Sequence, residues 1–306
     1  MESSQAFAPA AITNFFSIYD EGLSTSPPDL AHIGATGGGY MLSKGVRSRA
    51  EIASGPGGKG VSVVVNGDAG YEARTTTRAI ELLLESMHES DTRISVYQEV
   101  EVPIGYGFGA SAASALSGVL AVASALGIGK SKSDLAFFAH AADILCRTGL
   151  GTVSVIYDYG GAGIMTKAGG PGIAEIRSIP VPRDLRIVTA SLAPYEKIVI
   201  LSSLKMKEKV NRLGDEALVR ASDLTIESLV RAGEIFSKSL GLETPDIRRL
   251  ARIARMRGAI GASQNMVGHA VHALVFEENV SDVARALQDD RLSPRVGVYE
   301  FGSAAR

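Results

Sequence analysis

The residues best suited to chemistry are Pro103 to Ala115, Pro-Ile-Gly-Tyr-Gly-Phe-Gly-Ala-Ser-Ala-Ala-Ser-Ala, where Gly105, Gly107 and Gly109 alternate with Tyr106 and Phe108. A β-branched stretch, Ile94 to Val102, precedes them, and a run of small residues, Ala110 to Leu126, follows. Strand, glycine turn and helix start form the arrangement in which free main-chain amides and the positive end of a helix hold phosphate oxygens. Glycine suits such a loop because no Cβ stands between backbone and anion. A purely structural turn satisfies the same spacing, so the pattern alone leaves both readings open. Two other phosphate motifs are excluded. The dinucleotide fingerprint needs Gly-x-Gly-x-x-Gly and a later acidic residue. A Walker loop at Gly127-Ile-Gly-Lys-Ser131 would need glycine where Ser124 stands.

The elements that must position this loop follow from periodicity. Val61 to Val65 and Ile94 to Val102 have the β-branched character of strands, and Ala73 to His88 between them places Ile80, Leu83, Leu84 and Met87 at helical spacing. Ala110 to Leu126 is uniformly small and apolar, which predicts a buried helix rather than an amphipathic one. Ser133 to Cys146 predicts a second helix, capped by Ser133 or Asp134. Beyond Lys167-Ala-Gly-Gly-Pro-Gly172 the texture changes. Strands are expected at Leu185 to Ala190, Lys197 to Ser202 and Ala270 to Phe276, with helices over Lys207 to Arg257 and Val280 to Asp289. This plan is α+β, with two domains expected at 1–170 and 171–306.

Bulk properties narrow the function classes. The chain has 306 residues, 45% of them hydrophobic, and a formal charge of -2 from 31 basic and 33 acidic residues. That balance gives no electrostatic reason for nucleic acid or an anionic membrane as partner; a small soluble ligand fits better. Cys146 is the single cysteine, expected as a buried structural thiol. His140, His269 and His272 lie in apolar surroundings and are expected to be hydrogen-bonded structural histidines. The N-terminus lacks the basic flank and apolar core of a signal peptide, and no apolar run reaches membrane-spanning length, so a cytoplasmic location is expected.

The loop resembles a known signature. Pro-x-x-x-Gly-Phe-Gly-Ala-Ser-Ala-Ala is similar to the Pro-x-x-x-Gly-Leu-Gly-Ser-Ser-Ala-Ala of the GHMP kinases. Phe7 to Thr13, Gly149 to Gly161 and Gly258 to Val275 resemble the other segments of that superfamily, in order and across most of the chain. Ala8 to Phe16, Gly34 to Gly39, Gly105 to Gly109 and Lys167 to Gly172 resemble its archaeal pantoate kinase branch.

The resemblance implies a fold and a chemistry. The fold would be the two-domain GHMP kinase fold, a ribosomal protein S5 domain 2-like N-terminal domain followed by a ferredoxin-like C-terminal domain, with a homodimer usual among relatives. The activity would be transfer of the γ-phosphoryl group of ATP, with Mg2+, to a primary hydroxyl of a small branched hydroxy acid. Gly105, Gly107, Phe108, Gly109, Ala110, Ser111 and Ala112 would hold the nucleotide phosphates, and Ser111 would ligate the metal.

Three departures bear on the acceptor. The family pattern has His where Ala11 stands, Asp where Thr152 stands, and a metal-binding carboxylate where Ala141 stands. If the enzyme is active, Asp143 or Asp158 must then bind Mg2+ or take the hydroxyl proton; a helix-surface acid and a turn cap are their alternative readings. The altered site favours mevalonate 3-phosphate, phosphorylated at its 5-hydroxyl, over pantoate. Thr13, Thr36, Arg74, Arg78, Arg147 and Lys167 are the substrate-side candidates, the cations being suited to an extra phosphate. The rival from another class is a non-catalytic homologue that only binds nucleotide.

Overall fold

The protein is described by a computed structural model covering residues 2–54, 60–87, 92–192 and 204–306. In chain order the elements are β1 (Glu2–Tyr19), α1 (Pro27–Leu30), β2 (Gly34–Ser54), β3 (Gly60–Val65), α2 (Arg74–Ser86), β4 (Thr92–Val100), α3 (Ala110–Ala125), α4 (Lys132–Leu145) and α5 (Thr152–Ile156). They continue with β5 (Ala162–Lys167), β6 (Glu175–Ile179), β7 (Leu185–Ser191), α6 (Leu204–Arg220), α7 (Ile226–Leu240), α8 (Pro245–Met256), β8 (Ala259–Gln264), β9 (Ala270–Phe276), α9 (Glu277–Gln288) and β10 (Arg295–Tyr299). The strand expected at Lys197 to Ser202 lies outside the described residues.

The first sheet has the order β3-β4-β2-β5-β6, with β1 paired to β2 in a long antiparallel ladder from Glu2↔Ile52 to Tyr19↔Gly34. β3 and β4 run parallel, joined through α2, so the residues after each strand emerge at the same end of the sheet. That end carries the glycine loop. Helices α2, α3 and α4 pack on one another, and α3 packs on β1, β2 and β4. Small residues make this close approach feasible: Ala112, Ala113, Ala115, Ala121 and Ala123 are all buried on α3, as the uniform composition predicted. α4 is capped by Ser131, whose hydroxyl accepts from the Asp134 amide, two residues before the expected cap.

The second sheet, β10-β7-β9-β8, is antiparallel throughout and is covered by α8 and α9. Helix α7 packs on β1 of the first sheet and β8 of the second. The main hydrophobic core is continuous across this junction, running from Ile12 and Phe15 through Leu229 and Phe236 to Leu274. β6 pairs with β5, which carries the first sheet past residue 170 to Ile179. The last residues also return to it, with hydrogen bonds between Arg306 and Phe7 and from the Gly302 amide to the Met41 carbonyl.

The glycines of Gly34 to Gly39 are strand residues of β2. A Cβ on Gly39 would stand 2.2 Å from the Ile12 carbonyl oxygen, and one on Gly37 would stand 2.3 Å from that of Phe15. Only glycine lets β1 and β2 approach this closely, and the bare strand that results leaves room beside it.

Candidate active site

Gly105, Gly107 and Gly109 all take left-handed backbone, at φ of 89°, 81° and 62°, while the residues between them do not. This alternation turns successive amides toward one side, and side chains rarely adopt it. Gly109 is the N-cap of α3, and no side chain caps that helix, so its first amides have no side-chain acceptor. Ser111 stands half-buried in the first turn, and its hydroxyl has no hydrogen-bond partner among the described residues. Ala110 and Ala112 are buried behind it. Phe108 differs from its expected role: its ring is 1% exposed and packs on Tyr299, so it anchors the loop and can meet a nucleotide only through its backbone.

The loop is clamped from two directions. The Ala11 amide donates to the Phe108 carbonyl at 3.0 Å, joining it to β1. On the other side lies the turn between β8 and β9: Asn265 donates to the Tyr106 carbonyl at 3.3 Å, and the Met266 amide donates to the Thr13 carbonyl at 3.0 Å. A Cβ on Gly268 would sit 2.3 Å from the Tyr106 carbonyl carbon. Asn265 and Gly268 were not among the sequence candidates. The glycine-containing segment Gly258 to Val275 was the available signal, and it lacked a residue-level assignment because its partner lies about 160 positions earlier.

Beside the loop is a cavity of about 160 Å3, well below the roughly 300–1,000 Å3 of pockets for drug-sized ligands. Its walls come from β1, the glycine strand of β2, the 148–152 turn, β5 and the Met266–Val267 turn. Thr152 opens α5 at the junction of cavity and loop: its Cγ2 is 3.0 Å, and the Ala11 carbonyl oxygen 3.1 Å, from where a Gly109 Cβ would be. The structure thus brings together Ala11, Thr152 and the phosphate loop, the positions where the family pattern has ionisable groups. Thr13 also lines this space.

The two carboxylates expected to compensate do not reach it. Asp143 is 2% exposed, so it is no surface acid; it accepts a hydrogen bond of 2.5 Å from the Thr148 hydroxyl and closes the turn after α4. Thr148 in turn pairs with Thr75 of α2. The Asp143 carboxylate thereby positions a cavity wall without lining the cavity. Asp158 is exposed and faces Lys132 at 4.0 Å across the turn after α5. Neither carboxylate lines the cavity. No cluster of three or more metal-ligating His, Cys, Asp or Glu side chains occurs among the described residues.

The proposed cations also lie elsewhere. Arg78 pairs with Glu85 and Glu81 along α2, and Lys167 with Glu175 across the β5–β6 ladder. Arg74 lines a separate open groove between α2 and β3, where Cys146 is half-buried instead of fully buried. Arg147 is exposed in a left-handed conformation just after α4. Thr36 lines the cavity and pairs with Ser17, whose hydroxyl bonds Asp215 of α6; strand pairing puts both side chains on that face. Its own hydroxyl is buried without a partner among the described residues.

The histidines are structural, as their surroundings predicted. His140 donates from Nε2 toward the Leu30 and Ile33 carbonyls, and burial lowers its pKa to about 4. Burial lowers that of His272, bonded to Asn265, to about 3. His269 meets the Thr244 hydroxyl.

Fold and loop together define a phosphotransferase class. Residues 74–157 of the 306 match the GHMP kinases N terminal domain. A structure described as a phosphotransferase related to the CoA biosynthesis pathway superimposes with a TM-score of 0.85 at 26% identity, covering 99% of this chain and 98% of that one. Homoserine kinase from Cytophaga hutchinsonii aligns at 0.70 and 20% identity over 100% and 96% of the two chains. Mevalonate diphosphate decarboxylase from Staphylococcus aureus aligns at 0.70 and 16% over 100% and 97%. The latter two show the fold alone. No curated protein matches this chain significantly in sequence. Among the described residues no helix is long and apolar enough to cross a membrane.

Proposed function

We propose that the protein transfers the γ-phosphoryl group of ATP to a hydroxyl of a small, branched acceptor held in the 160 Å3 cavity. The observation that carries this reading is that two residues lining the cavity, Ala11 and Thr152, pack on Gly109 at the uncapped start of α3. The amides of Gly107, Gly109 and Ala110 would hold the phosphates, stabilising charge without an ionisable side chain. ATP therefore fits. Mg2+ would be held beside the phosphates by the Ser111 hydroxyl, which has no hydrogen-bond partner among the described residues, and would neutralise charge there.

Chemistry at such a site is positioning. The acceptor oxygen forms a bond to the γ-phosphorus as the bond to the β,γ-bridging oxygen breaks and ADP leaves. Because phosphoryl transfer passes through a loose transition state, in-line alignment supplies much of the rate. With Asp143 and Asp158 away from the cavity, the hydroxyl proton passes to the transferred phosphoryl oxygens or to water.

Of the two hydroxy acids implied by the sequence, pantoate is the better supported. The structure related to CoA biosynthesis is more similar than the mevalonate diphosphate decarboxylase, by TM-score and by identity. Mevalonate 3-phosphate would also bring a phosphate dianion to a cavity with no Lys or Arg in its described lining. The second reading, a nucleotide-binding homologue without turnover, is favoured by Ala11 and Thr152 at the junction. Coupled ADP release across pantoate, mevalonate, mevalonate 3-phosphate and homoserine tests all of these. Turnover of pantoate is expected. ATP binding with no turnover on any acceptor would overturn the kinase reading.

A further inference from the structure

The acceptor cavity contains no Lys, Arg, His, Asp or Glu among its described lining residues. Its one ionisable group is Tyr40, whose hydroxyl is buried, accepts from Asn14, and is pushed upward in pKa by desolvation. Apolar wall is supplied by Phe16, Leu150, Val155, Met165, Ile176 and Met266. The side-chain hydroxyls are few and differ in availability. Thr148 is engaged with Asp143 and Thr75. Thr36 lies on the Ser17 face. Thr13 and Thr152 have no side-chain hydrogen-bond partner among the described residues. Thr152 stands against Gly109, at the transfer end, whereas Thr13 lies on β1 where its carbonyl meets Met266.

Burying a carboxylate or phosphate in such surroundings leaves a charge with neither counter-ion nor sufficient donors, a cost that selects against charged ligands. A methyl group carries no such penalty, and a hydroxyl escapes it when it finds a hydrogen-bond partner. We propose, resting on the phosphotransferase reading, that this cavity recognises an uncharged, methyl-branched alcohol end, with Thr13 reading its second hydroxyl, and that any charge on the acceptor stays outside the cavity. The chemical class is a neopentyl-type diol or the equivalent end of a larger molecule. Two exposed cations adjoin the cavity wall in sequence, Arg147 just before Thr148 and Arg177 just after Ile176. A polar head outside the cavity would meet either one, if at all, in water, where an ion pair contributes little.

The test compares acceptors that differ only in charge: pantoate, its uncharged amide, and 2,2-dimethylpropane-1,3-diol. ADP release is measured with each, and binding of each to enzyme loaded with a non-hydrolysable ATP analogue is measured by saturation-transfer NMR. Removing the carboxylate is expected to change kcat/KM and binding by less than about 10-fold. A loss above 100-fold for both uncharged molecules would overturn the proposal while leaving the kinase reading intact, because pantoate would still turn over. If nothing turns over, the binding arm still decides: saturation transfer to the diol supports the cavity assignment, and its absence overturns it. Thr13→Val should raise KM for the diol about 10-fold with kcat nearly unchanged, and Thr13→Ser should restore it. Equal KM for all three proteins would remove Thr13 from recognition. Met165→Phe, which fills the cavity, should abolish diol binding while leaving the ATP analogue bound; retained diol binding would place the acceptor elsewhere.

Discussion

The two ends of the active site are built from different material. The nucleotide end is backbone: three left-handed glycines, an uncapped helix and amides held in place by β1 and the Asn265–Gly268 turn. The acceptor end is side chain, and there Ala11 and Thr152 occupy the positions where the pantoate kinase pattern, which the sequence resembles, has His and Asp. Backbone geometry tolerates few substitutions, since any Cβ at these glycines meets neighbouring atoms or strained dihedrals. Side-chain groups can be exchanged with no change in the frame that carries them. One fold can therefore keep its donor while its acceptor changes.

The largest effect should come from attacking the backbone end. Gly109→Val forces a β-branched residue into φ of 62°, with its Cβ 3.0 Å from Thr152 Cγ2 and 3.1 Å from the Ala11 carbonyl oxygen. Nucleotide affinity, read by isothermal titration, should fall by at least about 100-fold, equivalent to about 2.7 kcal/mol. The fold should survive, with a lowered melting temperature. Unchanged affinity would show that the two ends do not differ as described.

At the side-chain end the expected change is a gain. Thr152→Asp places a carboxylate at the junction of cavity and loop, where general base catalysis typically contributes about 10²–10⁴-fold. A rise in kcat of at least about 10-fold at neutral pH is expected in the coupled assay. An unaltered kcat would show that positioning alone sets the rate.

Away from the site, the histidines predict a pH effect on stability. Both stay neutral in the fold, with pKa values of about 4 for His140 and about 3 for His272, below the unfolded value of 6.5. Between those limits the unfolded chain binds more protons, so stability falls as pH drops below 6.5 and is unaffected by these groups above it. Unfolding free energies from urea titrations should decline from pH 6.5 to 4.5, by up to about 1.4 kcal/mol per histidine per pH unit. A flat profile would show that the fold holds neither histidine neutral.

The smallest effect should be at Asp158. Asp158→Asn removes only an exposed pairing with Lys132 at 4.0 Å, and kcat, KM and melting temperature should stay within error of the parent. A loss of activity would return a carboxylate to the acceptor end.

Much of the fold was legible because α2, α3, β4 and β9 each carry one clear period or composition. The long β1–β2 pair was not, since glycines at 37–39 carry neither β-branched side chains nor an alternating period. Loop residues were readable as a group because the left-handed positions demand glycine. Asp143 and Asp158 misled because a carboxylate near a motif in sequence says nothing of which way its turn folds. Asn265 and Gly268 act through contacts with residues far away in the chain, which no local pattern records.

The clamp on the loop comes from the last quarter of the chain. During synthesis, residues 74–157 emerge with every glycine of the nucleotide loop, yet the turn that seats Tyr106 and Gly107 is translated about 160 codons later. The loop therefore reaches its full set of contacts only in a polypeptide that extends through Gly268, which makes its seating a late event in folding.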